Sequence, residues 1–451
     1  MSFGCYPFFG LISGMRFPFP LVTAALLLVL SGCATYSANP LPEKNDLNST
    51  VPAPGAPALD MDAVATVAVL NNPDLKAARA KARVAGAQAF AAGLLPNPQL
   101  TANLDHPTDH DVGLVNGYGL GLSYDLQALL THPAAAAAAN AARDQAELDL
   151  LWQEWQTVAQ ARTLYVQNII ATEKHGYLAD AEQKYAAQAE RSGRALQAGD
   201  ITIDQAGTDL AVLLDIRSQL GEADRSALQA DRSLHSLLGV APDVRVPLQT
   251  LGTPEIPDRM TVDAALARLP QSRPDLRALQ AGYRSQDELL FKAVLSQFPN
   301  ISLGFTKARD TSDVHTTGFG VTLDLPLFDQ GEGEIAIQNA TRDQLRAEYQ
   351  ARLDQATGDA WRLWTEMQQL KAEIEDIEAR LPQFQMTVDA VERSYQAGDL
   401  AVPTYFTMLN TLLTRQTELF DLKQSLWSDA LALSSVLGTQ VEPQGVKDSK
   451  P

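Results

Sequence analysis

The sequence predicts a mainly α-helical chain that carries part of a transmembrane β-barrel and is an internal tandem duplication. Three observations predict it. First, five landmarks return in the same order about 200 positions later. Asn72-Pro73-Asp74-Leu75 returns as Arg273-Pro274-Asp275-Leu276, and Leu95-Pro96-Asn97 as Phe298-Pro299-Asn300. Gly119, Gly121 and Asp125-Leu126 return as Gly318, Gly320 and Asp324-Leu325. Ala198-Gly199-Asp200-Ile201 returns as Ala397-Gly398-Asp399-Leu400, and Leu238-Gly239 as Leu437-Gly438. Second, each half holds two short segments that alternate apolar and polar residues, the mark of strands with one apolar and one wet side. Third, apolar residues then step by three and four over runs too long to fit a compact globule.

From the N-terminus, the apolar run Leu21–Leu30 is too short to span a membrane as a helix and suits the core of a signal peptide. Leu30-Ser31-Gly32-Cys33 resembles a lipobox, so residues 1–32 are expected to be a signal peptide and Cys33 to take a covalent lipid. A positive residue first appears at Met15-Arg16, which makes Met15 the expected start. Ala34, in place of Asp, favours the outer membrane. Residues 33–58, with five prolines, are expected to be a lipid-anchored linker. The first repeat follows at 59–240, a Pro-rich linker at 241–260, the second repeat at 261–438 and a loose tail at 439–451.

Each repeat reads as helix, strand, strand, very long helix, turn, helix. In the first, Leu100, Ala102 and Leu104 oppose Thr101, Asn103 and Asp105. Tyr118, Leu120, Leu122 and Tyr124 then oppose Gly119, Gly121, Ser123 and Asp125. In the second, Ile301, Leu303 and Phe305 oppose Ser302, Gly304 and Thr306. Phe319, Val321 and Leu323 likewise oppose Gly318, Gly320, Thr322 and Asp324. Leu370, Ile374, Ile377, Leu381, Phe384, Val388, Val391 and Tyr395 form a coiled-coil seam. A helix from Gly333 to Ala397 would run roughly 95 Å, with Pro382 expected to kink it. Gly199 and Gly398 end the long helices, and Ile203–Leu238 and Thr404–Leu437 return from them.

No run of 18 apolar residues remains after the signal segment, so a membrane span has to be β. Four short strands cannot close, and an open sheet edge cannot sit in lipid. Three copies supply a twelve-stranded barrel, with the apolar faces on lipid and the Gly, Ser, Thr and Asp faces inside. The helices would bury their seams around the same threefold axis as a long helical barrel. The formal charge of −19 argues against a nucleic-acid partner.

At this point the chain resembles the TolC-like outer-membrane efflux protein family. The resemblance rests on the duplication, on Pro96-Asn97 and Pro299-Asn300 before the first strands, and on Leu325-Pro326-Leu327-Phe328-Asp329 with Gly331. It also rests on Arg191 before Ala198-Gly199-Asp200-Ile201 and Arg393 before Ala397-Gly398-Asp399-Leu400. The first repeat departs at its strand-to-helix junction, where Leu126–Pro133 and an alanine run replace the Pro-x-Phe-Asp pattern. The resemblance implies a lipid-anchored homotrimer in the outer membrane of a Gram-negative bacterium, extending into the periplasm. It would be a passive duct that docks by its helical tips on a periplasmic adaptor and an inner-membrane RND-type pump. The lipidated N-terminus and Leu95-Pro96-Asn97-Pro98 look most like the branch serving heavy-metal pumps. Drugs and secreted polypeptides are the alternative cargoes, and a pore-less periplasmic coiled-coil scaffold is the alternative of another class.

The candidate site residues follow. Gly199, Asp200, Ile201, Gly398, Asp399 and Leu400 are adaptor-docking tips by resemblance. Helix reversal explains the same residues, with Gly at positive φ and Asp capping the next helix. The family's acidic residues after the second tip are replaced by Thr404-Tyr405-Phe406-Thr407, leaving Asp204 as the nearest acid. Ser123, Asp125, Thr322 and Asp324 alternate into the barrel lumen, although both aspartates also suit a strand-end cap. His106 and His110, with Asp105, Asp109 and Asp111, make a polar loop without the spacing of a metal site. No nucleophile–base arrangement stands out, so neither an enzyme nor a cofactor is expected.

Overall fold

The computed structural model describes residues 36–51, 58–108, 113–397, 399, 402–439 and 443–444. Residues 36–46 form a unit of their own and are exposed, irregular backbone. The rest concerns the second unit, which starts at Leu47.

Helices α1 (Met61–Asn71) and α2 (Pro73–Ala92) meet at Asn72. Its side chain accepts from the Leu75 N–H at 2.9 Å and donates to the Leu237 carbonyl at 3.0 Å. Pro73 takes the first helical position, where no N–H is needed. Strands β1 (Gln99–Asp105) and β2 (Gly117–Asp125) pair antiparallel. Strand β2 runs straight into α3 (Leu126–Ala198), whose 73 residues extend about 110 Å. The alanine run and Pro133 lie inside that helix. Helix α4 (Ile203–Leu238) returns from the turn at Gly199.

The second half opens with β3 (Thr253–Pro254), α5 (Arg259–Leu266) and α6 (Leu269–Ser272). Helix α7 (Pro274–Leu295), strands β4 (Asn300–Arg309) and β5 (His315–Asp324), and helices α8 (Glu332–Gln396) and α9 (Val402–Leu437) follow. Strand β6 (Pro443–Gln444) is the last element. Unlike its counterpart, β5 reaches its long helix through residues 325–331, ending with Gln330 and Gly331 at positive φ. The junction difference read from the sequence is therefore real: one half caps its helix from the strand end, the other turns through a left-handed pair.

Three expectations are corrected. The lipid-anchored linker does not stay extended to residue 58. Asn48 bonds both ways with the chain at Gly239 and Ala241 (2.9 Å each), and Val51 packs on the core. The tail is not loose at residues 443–444, which pair with Thr253–Pro254 as β6. Helix α9 begins at Val402, two residues before the expected Thr404. Pro382 sits within α8, which continues on both sides of it.

The coiled-coil seam is the core of the lower helices. Ile374 and Val388 are buried, and Leu370, Ile377, Leu381, Phe384, Val391 and Tyr395 are partly buried against α9 and the α3–α4 pair. A second core lies at mid-height, where α1, the end of α4 and α9 close around Tyr165, Leu238 and Trp427. The Pro-rich linker straps over it. Tyr165, Trp364 and Trp427 donate to the carbonyls of Gln249, Pro257 and Gly252 at 2.9, 2.9 and 3.1 Å. Aromatic residues thus bury their rings while their polar tips satisfy linker carbonyls.

Candidate functional site

The four long strands form one antiparallel sheet in the order β1-β2-β4-β5. The register groups side chains by chemistry. Leu100, Leu122, Phe305 and Phe319 stand in one row across all four strands. Tyr124, Leu303 and Val321 form the next row towards the helices. The opposite face carries Thr101, Gly121, Thr306 and Gly318 in one row, and Asp125, Ser302 and Thr322 in another. The apolar face has no protein against it: Leu100, Leu104 and Phe319 are 76%, 77% and 71% exposed. A period-two strand places every second residue on one face, so this segregation follows directly from the alternation.

The polar face carries a hollow. Thr101, Ser123, Ser302, Thr306 and Thr322 line a hollow of about 290 Å³ together with the strand glycines. A Cβ on Gly121 would meet the Thr101 hydroxyl at 2.5 Å, so glycine there lets the threonine fold over the strand. The sheet thus carries this hollow beside its glycine and hydroxyl residues. Its outer strands β1 and β5 each keep one unpaired edge.

Of the lumen candidates, Ser123 and Thr322 lie on the polar face with no cap role. Asp125 is the N-cap of α3: its Oδ1 accepts from the Ala128 N–H at 2.9 Å. Asp324 accepts from the Asn300 side chain across the β4–β5 pair at 3.4 Å. Asp125→Ala is therefore expected to cost about 1 kcal/mol of stability, with Asp125→Asn close to wild type. The thermal midpoint of the detergent-solubilised protein reads this. A change in ion selectivity with no shift in midpoint would contradict the capping role.

At the other end, α3 closes in a left-handed Gly199 (φ 81°), with the Asp200 N–H bonded to the Ala195 carbonyl at 2.9 Å. The Asp399 N–H bonds the Ser394 carbonyl in the same way at 2.9 Å. The expectation that Asp200 caps the following helix is corrected. Thr202 does so, in a capping box with Gln205. Asp200 instead lines a cleft of about 780 Å³ between the two helical hairpins, with Ile201, Asp204, Arg191 and Phe406. Gly398 and Leu400 lie outside the described residues, as do Cys33, Asp109, His110 and Asp111.

The floor of this cleft is a polar network that the sequence reading missed. The Gln188 amide donates to Asp209 at 3.0 Å and accepts from the Tyr395 hydroxyl at 3.2 Å. The Ser192 hydroxyl bonds the same Asp209 carboxylate. Tyr395 stacks on Tyr405 at 5.0 Å, and the Arg191 guanidinium lies 6.0 Å from the Tyr395 ring centre. Burial, and then the neighbouring Glu392 carboxylate, pushes the Tyr405 phenol up to about 12. Tyr405 and Phe406, noted in the sequence only as a lack of acid, are thus buried packing residues joining α9 to α8 and α3.

The described histidines do not gather. His106 bonds Asn116 at 2.6 Å, His175 pairs with Asp224 at 2.9 Å, and buried His235 bonds the Asp231 and Val244 carbonyls. Among the described residues, no group of three or more His, Cys, Asp or Glu side chains converges as a metal site. No described helix is long and apolar enough to cross a membrane.

Comparison with known proteins agrees with this geometry. Residues 265–439 match the model of the outer membrane efflux protein family. The chain is 24% identical over 433 residues to the pyoverdine export outer membrane protein OpmQ of Pseudomonas aeruginosa, covering 89% of this chain and 90% of that one. The CusC structure superposes with a TM-score of 0.70 at 17% identity, covering 90% of this chain and all of that one. The Campylobacter jejuni CmeC outer membrane channel gives 0.71 at 17% identity, covering 92% and 96%. Both share the mainly helical fold.

Proposed function

We propose that the chain is a TolC-like outer-membrane efflux protein and forms the passive outer-membrane export duct of a tripartite efflux pump. The observation that carries this is the four-stranded sheet, with an uncovered apolar face, a polar face and two open edges. Pairing β5 of one copy with β1 of the next, three times, removes every edge and closes twelve strands. The apolar rows then meet lipid, and Ser123 and Thr322, with Asp125 and Asp324 at the strand ends, border the lumen. A coiled-coil scaffold has no use for such a face, which favours the duct.

Lipid on Cys33 would tether the chain to the same membrane. The cleft between the helical hairpins supports docking of a periplasmic adaptor at the Gly199-Asp200-Ile201 and Gly398-Asp399-Leu400 tips, with an RND-type pump supplying the energy. Heavy-metal cations are the cargo that the Leu95-Pro96-Asn97-Pro98 lead-in supports. The likeness to OpmQ, a pyoverdine export protein, favours a siderophore cargo as the second reading.

Purified protein reconstituted in a planar bilayer is expected to give a trimeric mass and a stable conductance. Absence of either overturns the duct. Export by cells carrying the protein with its partner pump, measured for zinc or copper ions against a siderophore, separates the two cargo readings.

A further inference from the structure

Three arginines converge on a groove unrelated to the tips or the sheet. Arg277 and Arg284 lie seven residues apart on α7, and so on one face of that helix. Arg346 faces them from α8. With Leu148 of α3, Gln280, Tyr283 and Tyr349, they line a groove of about 590 Å³.

The electrostatics of this groove are unusual for the chain. The formal charge is −19, yet no carboxylate lines the groove. All three arginines are exposed, and none has an ion-pair partner among the described residues. Arginines on or beside the same helices behave differently. Arg342 pairs with Asp287 at 3.1 Å, and Arg273 and Arg352 pair with Asp275 at 2.7 and 3.2 Å. Two phenols complete the lining. The Gln280 amide donates to the Tyr349 hydroxyl oxygen at 3.2 Å, which leaves that O–H to donate elsewhere. Several planar guanidinium forks around one concavity match carboxylate or phosphate oxygens two at a time. A concave wall focuses their field on whatever enters.

We propose that the groove between α3, α7 and α8 binds an oxyanion carrying two or more carboxylate or phosphate groups. The proposal does not depend on the duct reading, because binding is measured on the solubilised protein without transport. Citrate and pyrophosphate, titrated separately into the solubilised full chain at constant ionic strength, are the probes for the two oxyanion types. Saturable binding of at least one is expected, and the triple variant R277Q/R284Q/R346Q should weaken it by about tenfold or more. Arg225→Gln, an exposed arginine far along α4, should leave binding unchanged. Should the triple variant fail to fold, Arg346→Gln alone gives the same reading, with a smaller loss. No saturable binding to the wild type, or equal binding by the folded variant, overturns the proposal.

Discussion

Phe305→Arg is expected to keep the protein out of the outer membrane. Phe305 stands in the central apolar row, flanked by Leu122 and Phe319 on the neighbouring strands. If that row meets lipid, an arginine there costs about 2–4 kcal/mol near the bilayer midplane. A trimer places three such arginines at one depth, so the penalty approaches roughly 10 kcal/mol, comparable to the whole stability of a domain. Thr322→Arg is the matched control. Thr322 lies on the polar face of the same sheet, and its arginine is expected to insert normally and shift ion selectivity towards anions. Membrane fractionation and trimer resistance to detergent read the first effect, and bilayer reversal potentials read the second. Equal insertion of both variants would mean the apolar face is not on lipid.

The second large effect is predicted at Asp275. Its side chain is 5% exposed and that of Arg273 is 7%. Arg273 donates to both carboxylate oxygens at 2.9 and 2.7 Å, and its guanidinium lies 5.1 Å from the Trp152 ring centre. The Leu276 N–H and Arg352 complete the shell at 2.9 and 3.2 Å. Asp275→Ala leaves a buried arginine with no counter-charge, expected to cost about 3–5 kcal/mol. Replacing the pair together, as Arg273→Met with Asp275→Leu, is expected to recover most of that loss. Denaturant unfolding of the solubilised protein measures both. A single-variant loss below about 1 kcal/mol would show that the pair is screened like a surface bridge.

The same site sets an acid limit. Burial raises the Asp275 pKa and is the largest single influence. The Arg273 hydrogen bonds and charge, the Leu276 N–H and Arg352 together outweigh it and hold the group below its usual value. A carboxylate depressed in the folded state stabilises above its unfolded pKa of about 3.9, and that stability is lost as pH falls through the folded value. Acid destabilisation from this site is therefore confined below about pH 4, and Asp275→Ala should lack it.

Much of the candidate site was legible because two periodicities wrote it. Alternation placed Ser123 and Thr322 opposite Phe305 and Phe319 before any strand was paired, since a strand has only two faces. Gly199 marked the first helical turn, because a residue free to take positive φ closes a helix sharply. The cleft network was not legible. Gln188, Ser192, Asp209 and Tyr395 come from α3, α4 and α8, and no spacing along the chain announces that they meet. The arginine groove escaped for the same reason.

The strand hairpins on long helices, the apolar and polar strand faces and the turn at Gly199 were thus determined by the sequence itself. Each depends on a repeat distance along one segment. The structure alone decided how segments distant in sequence meet. It showed that Thr202, not Asp200, caps the returning helix, that Asp125 caps α3, and that residues 48–51 and 443–444 join the folded body. Such features depend on which surfaces pack together and on which buried polar groups must find partners, and those requirements are met only once the chain has closed on itself.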